Sequence, residues 1–250
     1  MAGHSKWKNI QHRKGAQDIR KGKIFTKLLK EITVSVKTGG ADPEGNTRLR
    51  AAIQSARGHN MPKDNVERAI KKASSSDAEN YEEVNYEGFG PYGVAIFVEA
   101  ATNNVTRTVA NIRSYFTKNN GSLGKEGCLQ FVFQRKGVFE IENLDPKLDQ
   151  DEFTLDLIDH GAQDVEFNEN QCTITCSMED FGALQKYLQA KEIEPKQSSL
   201  QRIPVDFKQV TGEEFDSVMK LIDKIEGDDD VQQVYHNILF TDELANRMQE

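Results

Sequence analysis

The sequence predicts an α+β protein with an amino-terminal three-helix domain followed by two α+β domains, the last a ferredoxin-like βαββαβ unit inserted in the middle one. Three observations predict this. Apolar residues recur at three-and-four spacing as far as Ala73 and change to strand-like runs from Glu83 onward. The charge changes sign at the same place: seventeen basic against six acidic residues through Lys72, a net +11, then fifteen against thirty-four to Glu250, a net −19. Finally, between Gly137 and Pro204 the elements read strand, helix, strand, strand, helix, strand. The polar stretch Ser74-Ser75-Ser76-Asp77 marks the first boundary. The expected domains are therefore 1–76, basic and helical; 77–135 with 205–240, the middle α+β domain; and 136–204, the insertion.

The amino terminus carries the strongest functional signal. Residues 1–40 hold ten Lys and Arg against only Asp18 and Glu31, a local +8 in a chain whose net charge is −8. An acidic chain that sorts its positive charge to one end offers that end to a polyanion. Ile24, Phe25, Leu28, Leu29, Ile32 and Val36 form one stripe of a helix, with Arg20, Lys23, Lys27, Lys30 and Lys37 opposite. Gly39-Gly40 supplies its left-handed exit. Ahead of it, Gly3 to Lys14 has no apolar period but places Trp7 between Lys6 and Lys8, an indole available for stacking in a basic arm. A lysine stripe alone describes any solvated helix; the near absence of compensating carboxylates over forty residues favours nucleic acid. The candidate nucleic-acid-binding residues are Lys6, Trp7, Lys8, Arg13, Lys14, Arg20, Lys21, Lys23, Lys27 and Lys30.

Further along, Leu49, Ala52, Ile53 and Ala56 predict a second helix stopping at Gly58. Val66, Ala69, Ile70 and Ala73 predict a third, with Pro62 in its first turn. Strands follow at Glu83 to Glu87 and Val94 to Thr102. Between them Gly88-Phe89-Gly90-Pro91-Tyr92-Gly93 spells GxGxxG, but a dinucleotide fingerprint leaves a strand and opens a helix. This one runs into another strand and is expected to be a hairpin connection. A helix is predicted over Val105 to Asn119, burying Val105, Val109, Ile112 and Phe116, then a flexible loop over Gly121 to Gly127 and a strand over Leu129 to Phe133. The inserted unit is expected as strand Val138 to Ile141, helix Gln150 to His160, strands Asp164 to Phe167 and Gln171 to Ser177, helix Met178 to Ala190 and strand Gln197 to Ile203. Helix Glu213 to Glu226 and strand Val231 to Asn237 then return to complete the sheet begun at Glu83.

Catalytic chemistry finds little support. His4, His12, His59, His160 and His236 are scattered, with no nucleophile elbow around them. Asp228-Asp229-Asp230 reads as a solvated acidic turn rather than a cation site. Cys128, Cys172 and Cys176 form no CxxC pair, which points to a reducing cytoplasm. The expectation is a protein with no enzymatic activity, no cofactor, no metal and no membrane segment.

Five blocks in order, AGHSKWKNIQHRK, GKIFTKLLKEI, NMPKDNVERAIKK (Asn60 to Lys72), YEGFGPYGVAIFVE (Tyr86 to Glu99) and NNGSLGKEGCLQFVF (Asn119 to Phe133), resemble the YebC/PmpR family over essentially the whole chain. Its relatives include the mitochondrial translational activator of cytochrome c oxidase. The resemblance implies three domains and a cytoplasmic, non-enzymatic, DNA-binding transcriptional regulator. For some members it implies instead a ribosome-associated factor that helps translate proline-rich or stalling sequences. Ala101 to Thr108 reads ATNNVTRT where the family pattern is TDNRNRT, lacking an Asp and an Arg but keeping Arg107. The tail from Leu239 runs past the Tyr235-His236-Asn237 ending typical of the family.

Base reading suits Arg, Asn or Gln on an exposed helix, whereas lysine suits phosphate contact. The lysine-rich helix therefore predicts modest sequence discrimination on DNA, with RNA or the ribosome as the alternative partner. The sequence leaves the oligomeric state open.

Overall fold

The structure is a computed structural model, and it describes residues 17–75, 79–142, 144–145, 148–168 and 171–247. The described residues group into two compact units. One takes 17–27, Glu79–Gln134 and the chain from Ile203; the other takes Leu28 to residue 75 and Arg135–Arg202. No helix among the described residues is long and apolar enough to cross a membrane.

Helix α1, Gln17–Gly39, starts earlier than the apolar stripe requires. Burial is concentrated in its second half, at Ile32, Val34, Ser35 and Val36, while Ile24, Phe25, Leu28 and Leu29 are only half-buried. It ends at Gly40, whose φ of 88° no other residue type adopts as cheaply. Asn46 then ties two helix ends together. Its Nδ2 donates to Ser35 O and Gly40 O, both at 2.8 Å, and its Oδ1 accepts the Leu49 N–H at 3.0 Å. It thereby caps α2, Thr47–Gly58. Helix α2 stops at Gly58 as the sequence predicts, and the left-handed exit follows at Asn60, φ 58°. Gly58 answers a different need: a Cβ there would lie 1.9 Å from Lys196 O. Helix α3, Lys63–Ala73, follows Pro62 and buries Val66 and Ala73.

The middle domain is a four-stranded sheet whose strands lie in the order Ser122–Leu123, Glu82–Phe89, Ala95–Thr102, Val231–His236. Strands β1, Glu82–Phe89, and β2, Ala95–Thr102, form an antiparallel hairpin closed by the turn Pro91–Gly93. Helix α4, Val105–Lys118, is capped by Asn104 and buries Thr108, Ile112 and Phe116; Val105 and Val109 are half-buried rather than buried, because Thr108 takes the inward position beside the sheet. The segment expected to be a flexible loop contains β3, Ser122–Leu123, paired to β1. Of the strand expected over Leu129 to Phe133, Leu129 to Val132 is a turn, since the Val132 and Phe133 N–H groups are taken by Leu129 O, and strand begins only at Phe133. Helix α7, Gly212–Glu226, starts in a capping box of Thr211 and Glu214. It leads to β8, Val231–His236, antiparallel to β2, so the returning strand completes the sheet as expected. A short helix α8, Asp242–Arg247, follows with Leu244 buried.

The inserted unit runs β4 Phe133–Ile141, α5 Gln150–Asp159, β5 Ala162–Asn168, β6 Gln171–Cys176, α6 Phe181–Ala190 and β7 Gln197–Pro204. Its sheet order, β5-β6-β4-β7, is the ferredoxin-like arrangement with first and last strands adjacent. Helix α2 belongs to this core. Ala51 packs in the cluster containing Phe139, Ile174 and Leu184, and Gln54 Oε1 accepts from Gln185 Nε2 and Ser198 Oγ.

Two glycines give opposite outcomes on substitution. Gly58→Ala forces backbone apart at Lys196 and is expected to lower stability by about 1–3 kcal/mol. Gly22→Ala sits in α1 with nothing within 4 Å of the new Cβ, and should raise stability by about 0.5–1 kcal/mol. Urea midpoints at constant slope check both.

Candidate nucleic-acid interface

Of the ten candidate residues, Lys6, Trp7, Lys8, Arg13 and Lys14 lie outside the described residues. Arg20 and Lys21 stand in the first turns of α1. The remaining three are drawn into the fold. Lys23 Nζ donates to Gly227 O at 3.0 Å, and Lys27 Nζ to Gln232 O at 3.4 Å. Lys30 is buried at 8% exposure. A helical wheel places these three with Lys37, yet only Lys23 and Lys37 are exposed, because the wheel carries no information about what packs on the polar side.

Other cations of the helical region divide in the same way. Arg48 grips Glu31 with two bonds, Nε to Oε1 at 2.7 Å and Nη2 to Oε2 at 3.0 Å. Arg50 is buried and donates to Glu44 O at 2.7 Å. Exposed cations cluster instead on α3, at Lys63, Arg68, Lys71 and Lys72. Lys63 faces Glu67 at 3.4 Å, and Arg68 donates to Asn65 Oδ1 at 2.6 Å. The signal for these was in the sequence, the terminal KK of α3, but lysines in a last turn also suit the helix dipole and so attract no special notice.

The acidic turn is a correction. Asp228 and Asp230 are buried, at 9% and 7% exposure, and their carboxylates tie α4 to the segment that leads into β8. Asp228 Oδ2 accepts from Asn111 Nδ2 and Tyr115 Oη, each at 3.1 Å. Asp230 Oδ2 accepts from Arg107 Nη2 at 2.6 Å and Thr108 Oγ1 at 2.9 Å. Residue patterning of DDD after a glycine reads as solvent-facing because the partners lie more than a hundred residues away. The bond to Asp230 raises the Arg107 pKa, and burial followed by the charge of Asp228 raises that of Tyr115.

The described histidines occupy structural places. His59 Nδ1 lies 2.7 Å from Ser55 O, and His160 stacks on Tyr187 with ring centroids 4.0 Å apart. His236 is buried and its Nδ1 accepts the Ile238 N–H at 3.3 Å. Burial pushes its pKa from 6.5 down to about 4, since a charged ring would lose its hydration there.

Comparison with known proteins places the chain in context. A family model described as the TACO1/YebC protein N-terminal domain matches residues 5–76, and one described as the TACO1/YebC second and third domain matches 81–238. A protein of Amoebophilus asiaticus called "Probable transcriptional regulatory protein" is 51% identical over 240 residues, covering 95% of this chain and 98% of that one. One of the same description from Geotalea uraniireducens is 45% identical over 250 residues, covering 99% and 100%. Among solved structures, a conserved hypothetical protein from Aquifex aeolicus superposes with a TM-score of 0.79 at 38% identity, covering 92% of this chain and 94% of that one.

Burial of Lys30 makes its aliphatic stem part of the packing, so Lys30→Ala should cost about 1 kcal/mol or more. Lys37→Ala, at an exposed position, should stay within about 0.5 kcal/mol in the same urea series. For His236, the folded pKa lies below the unfolded one. Its contribution is therefore complete above pH 6.5 and is lost toward pH 4, at up to about 1.4 kcal/mol per pH unit. The parent should lose more stability than His236→Asn between pH 7 and pH 5; equal losses would remove His236 as the source.

Proposed function

The chain belongs to the TACO1/YebC family, and from that premise we propose that it is a regulator of gene expression that binds DNA through the phosphate backbone, using its basic amino-terminal segment. The charge separation carries the proposal: +11 through Lys72 against −19 beyond it. Lys6, Lys8, Arg13, Lys14, Arg20 and Lys21 are assigned to phosphate, and Trp7 to stacking. Lys23, Lys27 and Lys30, held by carbonyls or by burial, contribute to the positive field more than to direct contact. The relatives named as transcriptional regulatory proteins support the regulatory role.

One observation favours a second reading. The segment is dominated by lysine, whose compact charge meets phosphate without selecting a base, and it includes one indole. That combination equally serves a translation factor held on ribosomal or transfer RNA.

The experiment uses the full chain, because α2 shares a core with the inserted sheet and a fragment ending near Ser75 would be stripped of that support. Changing Lys6, Lys8, Arg13 and Lys14 together to Gln should flatten the dependence of log K on log salt for duplex DNA by up to about 3.6, at roughly 0.9 per phosphate contact. An unchanged slope would reject the assignment. Scrambling a bound DNA sequence should cost well under the roughly 4 kcal/mol typical of specific regulators. Should Trp7→Ala cost about 1–3 kcal/mol on unpaired RNA, with the protein sedimenting with ribosomes in a nuclease-sensitive manner, the translational reading takes precedence.

A further inference from the structure

Two adjoining elements of the inserted unit carry carboxylates and no cation. Helix α5 holds Asp151, Glu152, Asp156 and Asp159, strand β5 holds Asp164 and Glu166, and neither contains a Lys or Arg. They pack on one another, with the Phe153 and Phe167 rings 6.5 Å apart. One of these carboxylates is neutralised from the side of α6: Asp156 accepts from Lys191 Nζ at 3.1 Å and from Tyr187 Oη at 3.0 Å. Asp151, Glu152, Asp159 and Asp164 enter no ion pair among the described residues.

The same corner exposes apolar surface. Leu155 and Ile158 are 65% and 52% exposed. At about 100° of rotation per residue, Ile158 lies almost opposite Asp156, with Asp151 and then Leu155 next to it around the helix. Asp156 turns toward α6, so this stripe looks the other way. Helix α6 sits over β4, its Phe181 ring stacked on Phe139 at 4.8 Å, whereas α5 sits over β5. Because β5 ends the sheet of order β5-β6-β4-β7, the stripe overhangs an open strand edge. The backbone groups along that edge have no strand partner among the described residues. Side chains alternate across it: Phe167 meets α5, so Val165 faces the same way, and Asp164 and Glu166 face the opposite one.

We propose that the β5 edge docks an extended cationic polypeptide, added as a further strand with apolar side chains toward Leu155 and Ile158 and Lys or Arg side chains toward Asp164 and Glu166. Main-chain bonds to the edge supply the pairing, and the alternation of β5 sets that of the guest. Charge selects the occupant. A second copy adding its own β5 would set its Asp164 and Glu166 beside these, and like charges on paired strands are destabilising. Nucleic acid would meet the same repulsion. The site lies apart in the sequence from the basic segment assigned to phosphate and stands independently of that assignment.

The test titrates labelled twelve-residue peptides with the full-length protein and reads anisotropy. A peptide alternating lysine with valine should bind, and one alternating glutamate with valine should not. The Lys/Val peptide made with D-valine puts every side chain on one face of an extended chain, so it should lose binding at unchanged charge and composition. Asp151→Asn together with Asp164→Asn should weaken the all-L peptide by about 2- to 30-fold, the range for two exposed ion pairs. Leu155→Ser together with Ile158→Ser should weaken it at least about tenfold, with a thermal midpoint within about 2 °C of the parent, since both side chains are exposed. Failure of the all-L peptide to bind, equal binding of the L- and D-valine peptides, or unchanged affinity in both double variants would overturn the docking site. Sedimentation equilibrium without peptide should give the parent and the Leu155→Ser, Ile158→Ser variant the same mass. A mass that falls in the variant would assign this face to a second copy and overturn the cationic occupant.

Discussion

Strand β2 sets the terms for the middle domain. Seven of the eight residues from Ala95 to Thr102 are buried, so the strand must be covered on both faces and paired along both edges. The hairpin supplies β1 on one edge at once. The other edge waits for β8, whose pairing joins Ile96 to His236 and Val98 to Val234. Whatever lies between must leave the sheet and come back to the same place. A ferredoxin-like unit meets that condition, because its first and last strands are neighbours. Closing a chain whose ends already lie side by side adds little further entropy cost, which is why so long an insertion is compatible with a completed sheet.

The junction at which β8 joins is where acidic side chains are buried. Asp230 supplies its carbonyl to the Ala101 N–H, continuing the pairing with β2, and its carboxylate to Arg107 and Thr108 in the first turn of α4. Thr102 Oγ1 in turn donates to Thr108 Oγ1 at 2.8 Å, since the single Thr108 hydroxyl proton goes to Asp230. One short network thus joins the end of β2, the start of α4 and the start of β8. Removing either partner of such a buried contact leaves a polar group unpaired in a place with little water, the costlier side of the hydrogen-bond balance. Arg107, which this chain keeps where the family-like segment otherwise departs, is the arginine that Asp230 holds.

Much of this was legible from local pattern. The ferredoxin-like order follows from alternation and turn residues, and α4 from Asn104 and the spacing of Ile112 and Phe116. The domain-completing return of β8 is legible only because the helix and strand after Pro204 have no partners nearby in the sequence. What could not be read was long-range. The carboxylate of Glu87 turns an apparent flexible loop into a fixed one from forty residues away. Gly58 does end α2, but the sequence gives no sign that Lys196 O lies against it. For the candidate interface, the sequence identified a basic segment but had no means of separating lysines spent on the fold from lysines offered outward.

That separation bears directly on how binding would work. Gly227 is the carboxyl-terminal cap of α7, so Lys23 sits where the helix dipole concentrates negative charge and three or four carbonyls lack helical partners. A phosphate competing for Lys23 must replace that carbonyl, and one competing for Lys27 must replace Gln232 O. Each exchange returns less than a contact made by a lysine hydrated beforehand, since the lost intramolecular bond is subtracted from the gain. Affinity should therefore be weighted toward the residues amino-terminal to Lys23. Lys23 and Lys27 then act as a tether, holding this stretch of α1 to the carboxyl end of α7 and the backbone of β8.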